Sequence, residues 1–149
     1  MSKICSLKSL RECEGVIGYS FRKKALLKLA LTHSSFASEN NLPSNERLEF
    51  LGDAVLSLII ATFLYKKFPL SPEGKLTVER AELVNRNNLY DVAKGLGIGK
   101  FIVLGKGEEE QGGRKNISNL ANLLEAIIGA VYLDGGYSAT RLFIKHHFL

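Results

Sequence analysis

The sequence predicts an all-α domain, a bundle of helices around one central buried helix at about residues 46–68. Apolar residues recur at helical spacing along most of the chain, while strict alternation is confined to Phe101-Ile102-Val103-Leu104. The prolines at 43, 69 and 72 and the glycine pairs fall between the periodic segments, not inside them. With 46% hydrophobic residues in 149, the chain can bury a sizeable core, which excludes a disordered chain and a disulfide-stapled miniprotein. No internal repeat or second domain is visible, so residues 1–149 are expected to form a single domain.

Each element has its own signal. Amphipathic spacing marks a first helix at about Ser6 to Gly15 and a second at about Arg22 to Leu31. The segment Ser38 to Asn45, rich in Asn and Ser and containing Pro43, is expected to be a polar loop. Its Ser44 and Asn45 can cap a helix that starts at Glu46 and runs to Phe68, where Pro69 stops it. Pro72 suits the start of a further helical stretch reaching about Gly95, with a break near Asn85 to Asn88. Gly95, Gly97 and Gly99 mark a turn, and Gly105 to Asn116 reads as a solvated loop or short frayed helix. Ser118 or Asn119 can cap the last pair of helices, about Leu120 to Leu133 and Ser138 to Phe148, parted at Asp134-Gly135-Gly136.

The net charge of +5 and pI near 9.2 permit an anionic partner without naming one. The excess is N-terminal: residues 1–45 carry seven Lys or Arg against three acids. That segment can steer a polyanion or simply form a solvated face. Cys5 and Cys13 would lie about 12 Å apart on one helix, too far for a disulfide, so inert thiols and a reducing, cytoplasmic setting are expected. The most apolar region, Ala54 to Leu64, is shorter than the roughly 20 residues that span a bilayer, so no membrane role is expected.

The informative anomaly is acidic. In the helix from Glu46, the side chains of Glu46, Glu49 and Asp53 fall within about 60° of one another, away from Leu48, Leu51, Val55, Leu58 and Ile59. Beyond Asp53 the helix becomes apolar nearly all round. An acid stripe leading into a buried segment is either a solvated face or a site that needs a counter-charge. Glu125 decides for the site, because it stands alone among Leu123, Leu124, Ala126, Ile127 and Ile128. A carboxylate buried there must be paired, protonated or bound to metal. Asn122 shares its face, as does Gly129, which is small enough to admit a second helix. If the two faces meet, an all-oxygen set converges that suits Mg²⁺ or Mn²⁺ rather than zinc.

These residues carry a resemblance. The run Asn45-Glu46-Arg47-Leu48-Glu49-Phe50-Leu51-Gly52-Asp53-Ala54-Val55-Leu56 resembles the signature of the ribonuclease III family, in its bacterial type. Leu31-Thr32-His33-Ser34-Ser35-Phe36, Glu73-Gly74-Lys75-Leu76 and Leu124-Glu125-Ala126-Ile127-Ile128-Gly129-Ala130-Val131-Tyr132-Leu133-Asp134 resemble further segments of that family, so the similarity extends over nearly the whole chain. The resemblance implies the all-helical endonuclease domain, acting as a symmetric homodimer that cuts double-stranded RNA with Mg²⁺, with Mn²⁺ able to substitute. It implies staggered cuts leaving 5′-phosphate and 3′-hydroxyl ends, in RNA processing such as that of ribosomal RNA precursors. Glu49, Asp53 and Glu125 become metal ligands, with Asp53 and Glu125 catalytic. Glu46 would lie at the rim near the RNA, and Glu73 would add an acid in the cleft, beside the partner subunit's site. The family's full-length bacterial enzymes usually carry a separate double-stranded-RNA-binding domain after this point, and none is present before Leu149.

Asn122 departs from the family, which commonly has Asp there. An amide oxygen can ligate Mg²⁺, but the site lacks one negative charge, so the alternative is a catalytically weakened or inactive homologue that binds double-stranded RNA. Phe50 lies about 40° from Glu46, an odd place for a large aromatic unless something covers it. It either packs under the N-terminal helices of its own chain or, as the resemblance suggests, inserts into the other subunit at the dimer interface. His33 is expected to cap or brace structure rather than act, and His146 and His147 are assigned nothing.

Overall fold

In the computed structural model, which describes residues 5–149, the chain forms eight α-helices: α1 Leu7–Ile17, α2 Lys24–Ala30, α3 Ser34–Asn40, α4 Glu46–Lys67, α5 Glu73–Val84, α6 Arg86–Leu96, α7 Lys106–Glu110 and α8 Ile117–Phe148. The expected all-α class holds. Among the described residues, the alternating stretch yields a single parallel bridge, Thr32 with Val103, rather than a sheet. The Val103 N–H donates to the Leu31 carbonyl at 2.8 Å and the His33 N–H donates to the Val103 carbonyl at 3.0 Å.

The core is built on α4 and α8. From Leu120 to Val131, α8 is buried almost continuously, and α4 lies along it through Leu48, Val55, Leu56, Ile59, Ile60 and Leu64. By length and composition alone both helices are long and apolar enough to cross a membrane, α4 at 22 residues among them. Here they bury much of that surface against each other and against α2, α5 and α6. α4 is not enclosed all round, however. Phe50, Leu58 and Tyr65, which are 81%, 57% and 75% exposed, form an outward stripe within about 80° of helix rotation. Leu58, expected on the core face, belongs to this stripe.

Capping explains most departures from the expected boundaries. Residues 34–40 are helical where a polar loop is expected from Ser38. The His33 ring caps this helix by accepting the Ser35 N–H at 3.1 Å, Phe36 and Ala37 are buried, and Asn41 closes it at φ 52°. Seven residues are too few for helical periodicity to show. Ser44 Oγ accepts the Glu46 N–H at the start of α4, but Asn45 does not cap. Its buried amide donates to the Ala30 carbonyl at 3.0 Å and ties α4 to α2. α8 is capped by Asn116, which accepts the Asn119 N–H, rather than by Ser118 or Asn119. The last two helices are continuous except for a kink at Gly136, where φ is 77° and ψ −173°.

The segment expected to be a solvated loop or short frayed helix is largely exposed and contains the short α7, and it is also tied down at several points. Arg114 donates to the carbonyls of Gly99 and Ile102 at 2.9 and 2.8 Å and pairs with Glu109. Asn119 donates to Glu108 and to the Gly113 carbonyl. At the other end of the domain, Asp134 accepts hydrogen bonds from the Tyr19 hydroxyl and from the N–H groups of Arg22 and Lys23, which fixes the turn before α2 against α8. Cys5 precedes α1 instead of sharing its helix with Cys13. Both thiols are free, and burial pushes the pKa of Cys13 up to about 12, consistent with an inert thiol.

Candidate active site

Local sequence places the acids in two groups. Glu46, Glu49 and Asp53 project from the first two turns of α4, and the negative charge of Glu46 and Glu49 near its N-terminus is favoured by the helix dipole. Asn122 and Glu125 project from α8 one turn apart. Gly52 and Gly129 let the two helices meet. A Cβ on Gly52 would lie 1.7 Å from the Glu125 carbonyl oxygen, and one on Gly129 would lie 2.3 Å from that of Leu48. No side chain larger than hydrogen fits there, and the role expected of Gly129 is matched by Gly52.

The result is a cleft of about 560 Å³ lined by Glu46, Glu49, Asp53, Asn122 and Glu125, with Phe50 at its edge and Val84, Arg86, Leu89 and Ala121 completing the wall. The structure therefore brings together every site residue expected on α4 and α8. Glu73 does not join them. It opens α5, accepts a hydrogen bond from Thr77 at 2.7 Å, and follows the C-terminal end of α4, which lies about 30 Å along that helix from Glu46. Phe50 does not pack under the N-terminal helices, since it is 81% exposed. His33 braces structure as expected: its Nε2 is 3.0 Å from the Asn119 Oδ1.

The electrostatics report crowding of like charge. Burial, together with the charges of Asp53 and Glu49, pushes the pKa of Glu125 up to about 7, with Arg86 opposing. Glu49 is also raised, first by burial and then by Glu46, while Arg86 and His33 oppose. Among the described residues, no three His, Cys, Asp or Glu side chains converge into a ready-made cage. The carboxylates line one space without forming such a cluster. By donor chemistry the set fits a hard divalent ion: carboxylate and amide oxygens only, on an exposed rim and a half-buried floor.

Arg86 is the charged cleft residue that the sequence pattern did not reveal. It is the cation of the cleft wall, standing at the first position of α6 after the Asn85 cap. Among the described residues, it has no carboxylate partner within ion-pair distance. A signal existed, because a cation in the first turn of a helix opposes the dipole and calls for another reason to be there.

Residues 23–149 match the Ribonuclease-III-like family. Ribonuclease 3 of Bdellovibrio bacteriovorus is 48% identical over 141 residues, covering 93% of this chain and 60% of that protein. Ribonuclease 3 of Streptomyces coelicolor is 55% identical over 127 residues, covering 85% of this chain and 46% of that protein. The chain thus spans three fifths or less of the length of these two relatives. Among solved structures, the nuclease domain of ribonuclease III from Campylobacter jejuni superposes with a TM-score of 0.87 at 40% identity, covering 96% of both chains, and that structure is described as flexible in a region involved in dimer formation. Dicer from Pichia stipitis is similar at a TM-score of 0.60 and 27% identity, over 85% of this chain and 56% of that one.

Proposed function

Because the chain belongs to the ribonuclease III family, we propose that it is the catalytic domain of a divalent-metal-dependent endoribonuclease that cuts double-stranded RNA as a symmetric homodimer. The observation that carries this reading is the meeting of Glu49 and Asp53 from α4 with Asn122 and Glu125 from α8 in one cleft. These four residues would hold Mg²⁺, or Mn²⁺ in its place. When bound, such an ion supplies Lewis acidity toward a phosphodiester oxygen and toward water. The chain's own groups do the rest. Glu125, whose pKa burial and the neighbouring acids push up to about 7 against the opposing Arg86, would be favoured as a full carboxylate beside a bound cation. Arg86 presents a planar set of donors to the non-bridging phosphate oxygens, and Glu46 borders the path of the strand. Bond cleavage would leave 5′-phosphate and 3′-hydroxyl ends.

Duplex RNA suits this surface because its deep, narrow major groove hides base edges, so recognition rests on A-form shape, phosphates and 2′-hydroxyls. The exposed stripe of Phe50, Leu58 and Tyr65 supports the dimer. A twofold axis near the middle of α4 would set the two α4 helices antiparallel. That would carry Glu73, remote from its own cleft, toward the partner's acidic end, and two clefts would make a staggered double cut.

Incubating the chain with long double-stranded RNA and Mg²⁺ tests the reading. Short 5′-phosphorylated duplexes are expected, with no cleavage in EDTA or by Glu125→Gln. A metal-replete dimer that binds the RNA and leaves it intact would overturn the reading in favour of the RNA-binding homologue that Asn122 suggests.

A further inference from the structure

A second cleft, of about 420 Å³, lies between the last turns of α4 and the end of α8. Four cations border it: Lys66 and Lys67 from α4, Arg141 and Lys145 from α8. No Asp or Glu lines it, Leu149 borders it at the end of α8, and among the described residues none of the four cations forms an ion pair. The floor between them is apolar and aromatic, including Phe63 and Tyr137. On α8, Tyr137, Arg141 and Lys145 follow one another at intervals of four, a single row along one face. The Lys67 ammonium is already held over the Phe63 ring, 5.1 Å from its centroid.

Ordinary helix chemistry accounts for part of this set. Lys66, Lys67 and Lys145 stand in last turns, where cations favour the helix dipole. It does not account for Arg141, whose i,i+4 spacing to Lys145 sets like charges together at a cost, nor for an aromatic floor beneath four unpaired cations. The cleft is also separate from the acids. Lys66 lies about 20 Å along α4 from Asp53, and the lining face of α4 is turned about 140° from the Phe50, Leu58 and Tyr65 stripe, so dimerisation through that stripe leaves the cleft open.

We infer that this cleft is a nucleotide-binding site, in which the phosphates seat among Lys66, Lys67, Arg141 and Lys145 and the base lies against Phe63 and Tyr137. Four cations favour a run of two or three phosphates over a single one, and the volume falls within the range of small-ligand pockets. The same chemistry is offered by a free nucleoside polyphosphate and by successive nucleotides of an unpaired RNA strand.

Calorimetric titration of the chain in EDTA, where the acidic cleft repels anions, tests this independently of any cleavage. The probes are ATP, adenosine, inorganic tripolyphosphate and a 5′-phosphorylated single-stranded RNA pentanucleotide. ATP is expected to bind one per chain, at least tenfold more weakly to Arg141→Ala/Lys145→Ala, and undiminished in Glu125→Gln. Tyr137→Ala should weaken ATP and leave tripolyphosphate unchanged. Displacement of ATP by the pentanucleotide at lower concentration would identify an RNA strand as the occupant, and the converse a free nucleotide. ATP binding indifferent to the double substitution, or tripolyphosphate binding as tightly as ATP with no effect of Tyr137→Ala, would overturn the inference. The substituted α8 side chains are exposed, and circular dichroism checks that each variant folds.

Discussion

Gly52 of α4 and Gly129 of α8 face each other at the helix crossing, so closely that a Cβ built on Gly129 would lie 3.2 Å from the Gly52 nitrogen. This contact sets the spacing of the acidic cleft, because Asp53 adjoins one glycine and Glu125 stands one turn before the other.

Gly52→Ala should therefore be severe. The clashing atom is the Glu125 backbone carbonyl, which cannot rotate away as a side chain would. Separating the helices is expected to cost about 3 kcal/mol or more, lowering Tm by about 6–12 °C and weakening divalent-ion binding. Thermal melts with and without Mn²⁺ check both; an unchanged melt would show that the helices do not meet as described.

Glu125 makes stability depend on pH. Its folded pKa of about 7 lies above its ordinary 4.5, so between these values the folded chain holds a proton that the unfolded chain has released. That contribution is complete below about pH 4.5 and is lost as pH rises through 7. In metal-free buffer, Glu125→Gln is expected to be about 1–2 kcal/mol more stable than the parent at pH 8, after discounting for partial exposure. The gap should close as pH falls toward 4.5. Urea denaturation at several pH values measures it, and a gap constant with pH would contradict the assignment.

Phe50→Ala should dissociate the proposed homodimer. Burying this ring is worth about 2 kcal/mol per subunit, and two copies make about a thousandfold in the dimerisation constant. Sedimentation at micromolar concentration is expected to show monomers with unchanged helicity. A fully dimeric variant would remove Phe50 from the interface.

Asn122→Asp adds a carboxylate beside Glu125, and apparent Mg²⁺ affinity is expected to rise about tenfold, on the scale of one tuned ligand contact, with faster cleavage at limiting metal. Rates measured across a Mg²⁺ titration check this. Equal curves would show that the amide oxygen already serves as well.

Much of the site is legible in the sequence because its cause is local. Glu46, Glu49 and Asp53 share a helix face by spacing alone, and Glu125 is conspicuous for standing in an apolar run. Arg86 is not legible in the same way, since it reaches the cleft only through the placement of α6. The short α3 and the anchoring of residues 105–116 escape for a related reason: they depend on His33, Arg114 and Asn119, whose hydrogen bonds to distant backbone and side chains leave no periodic trace.

By itself the sequence determined the helical class, the extent of α4 within a residue, and the acids that define the chemistry, because period and charge pattern act over a few turns. Only the tertiary structure decided that α4 keeps an outward apolar stripe, that Glu73 stands away from its own cleft, and that four cations gather around a second one. Those outcomes depend on how whole helices cross, which is set by packing between residues far apart in the chain, here above all where Gly52 meets α8.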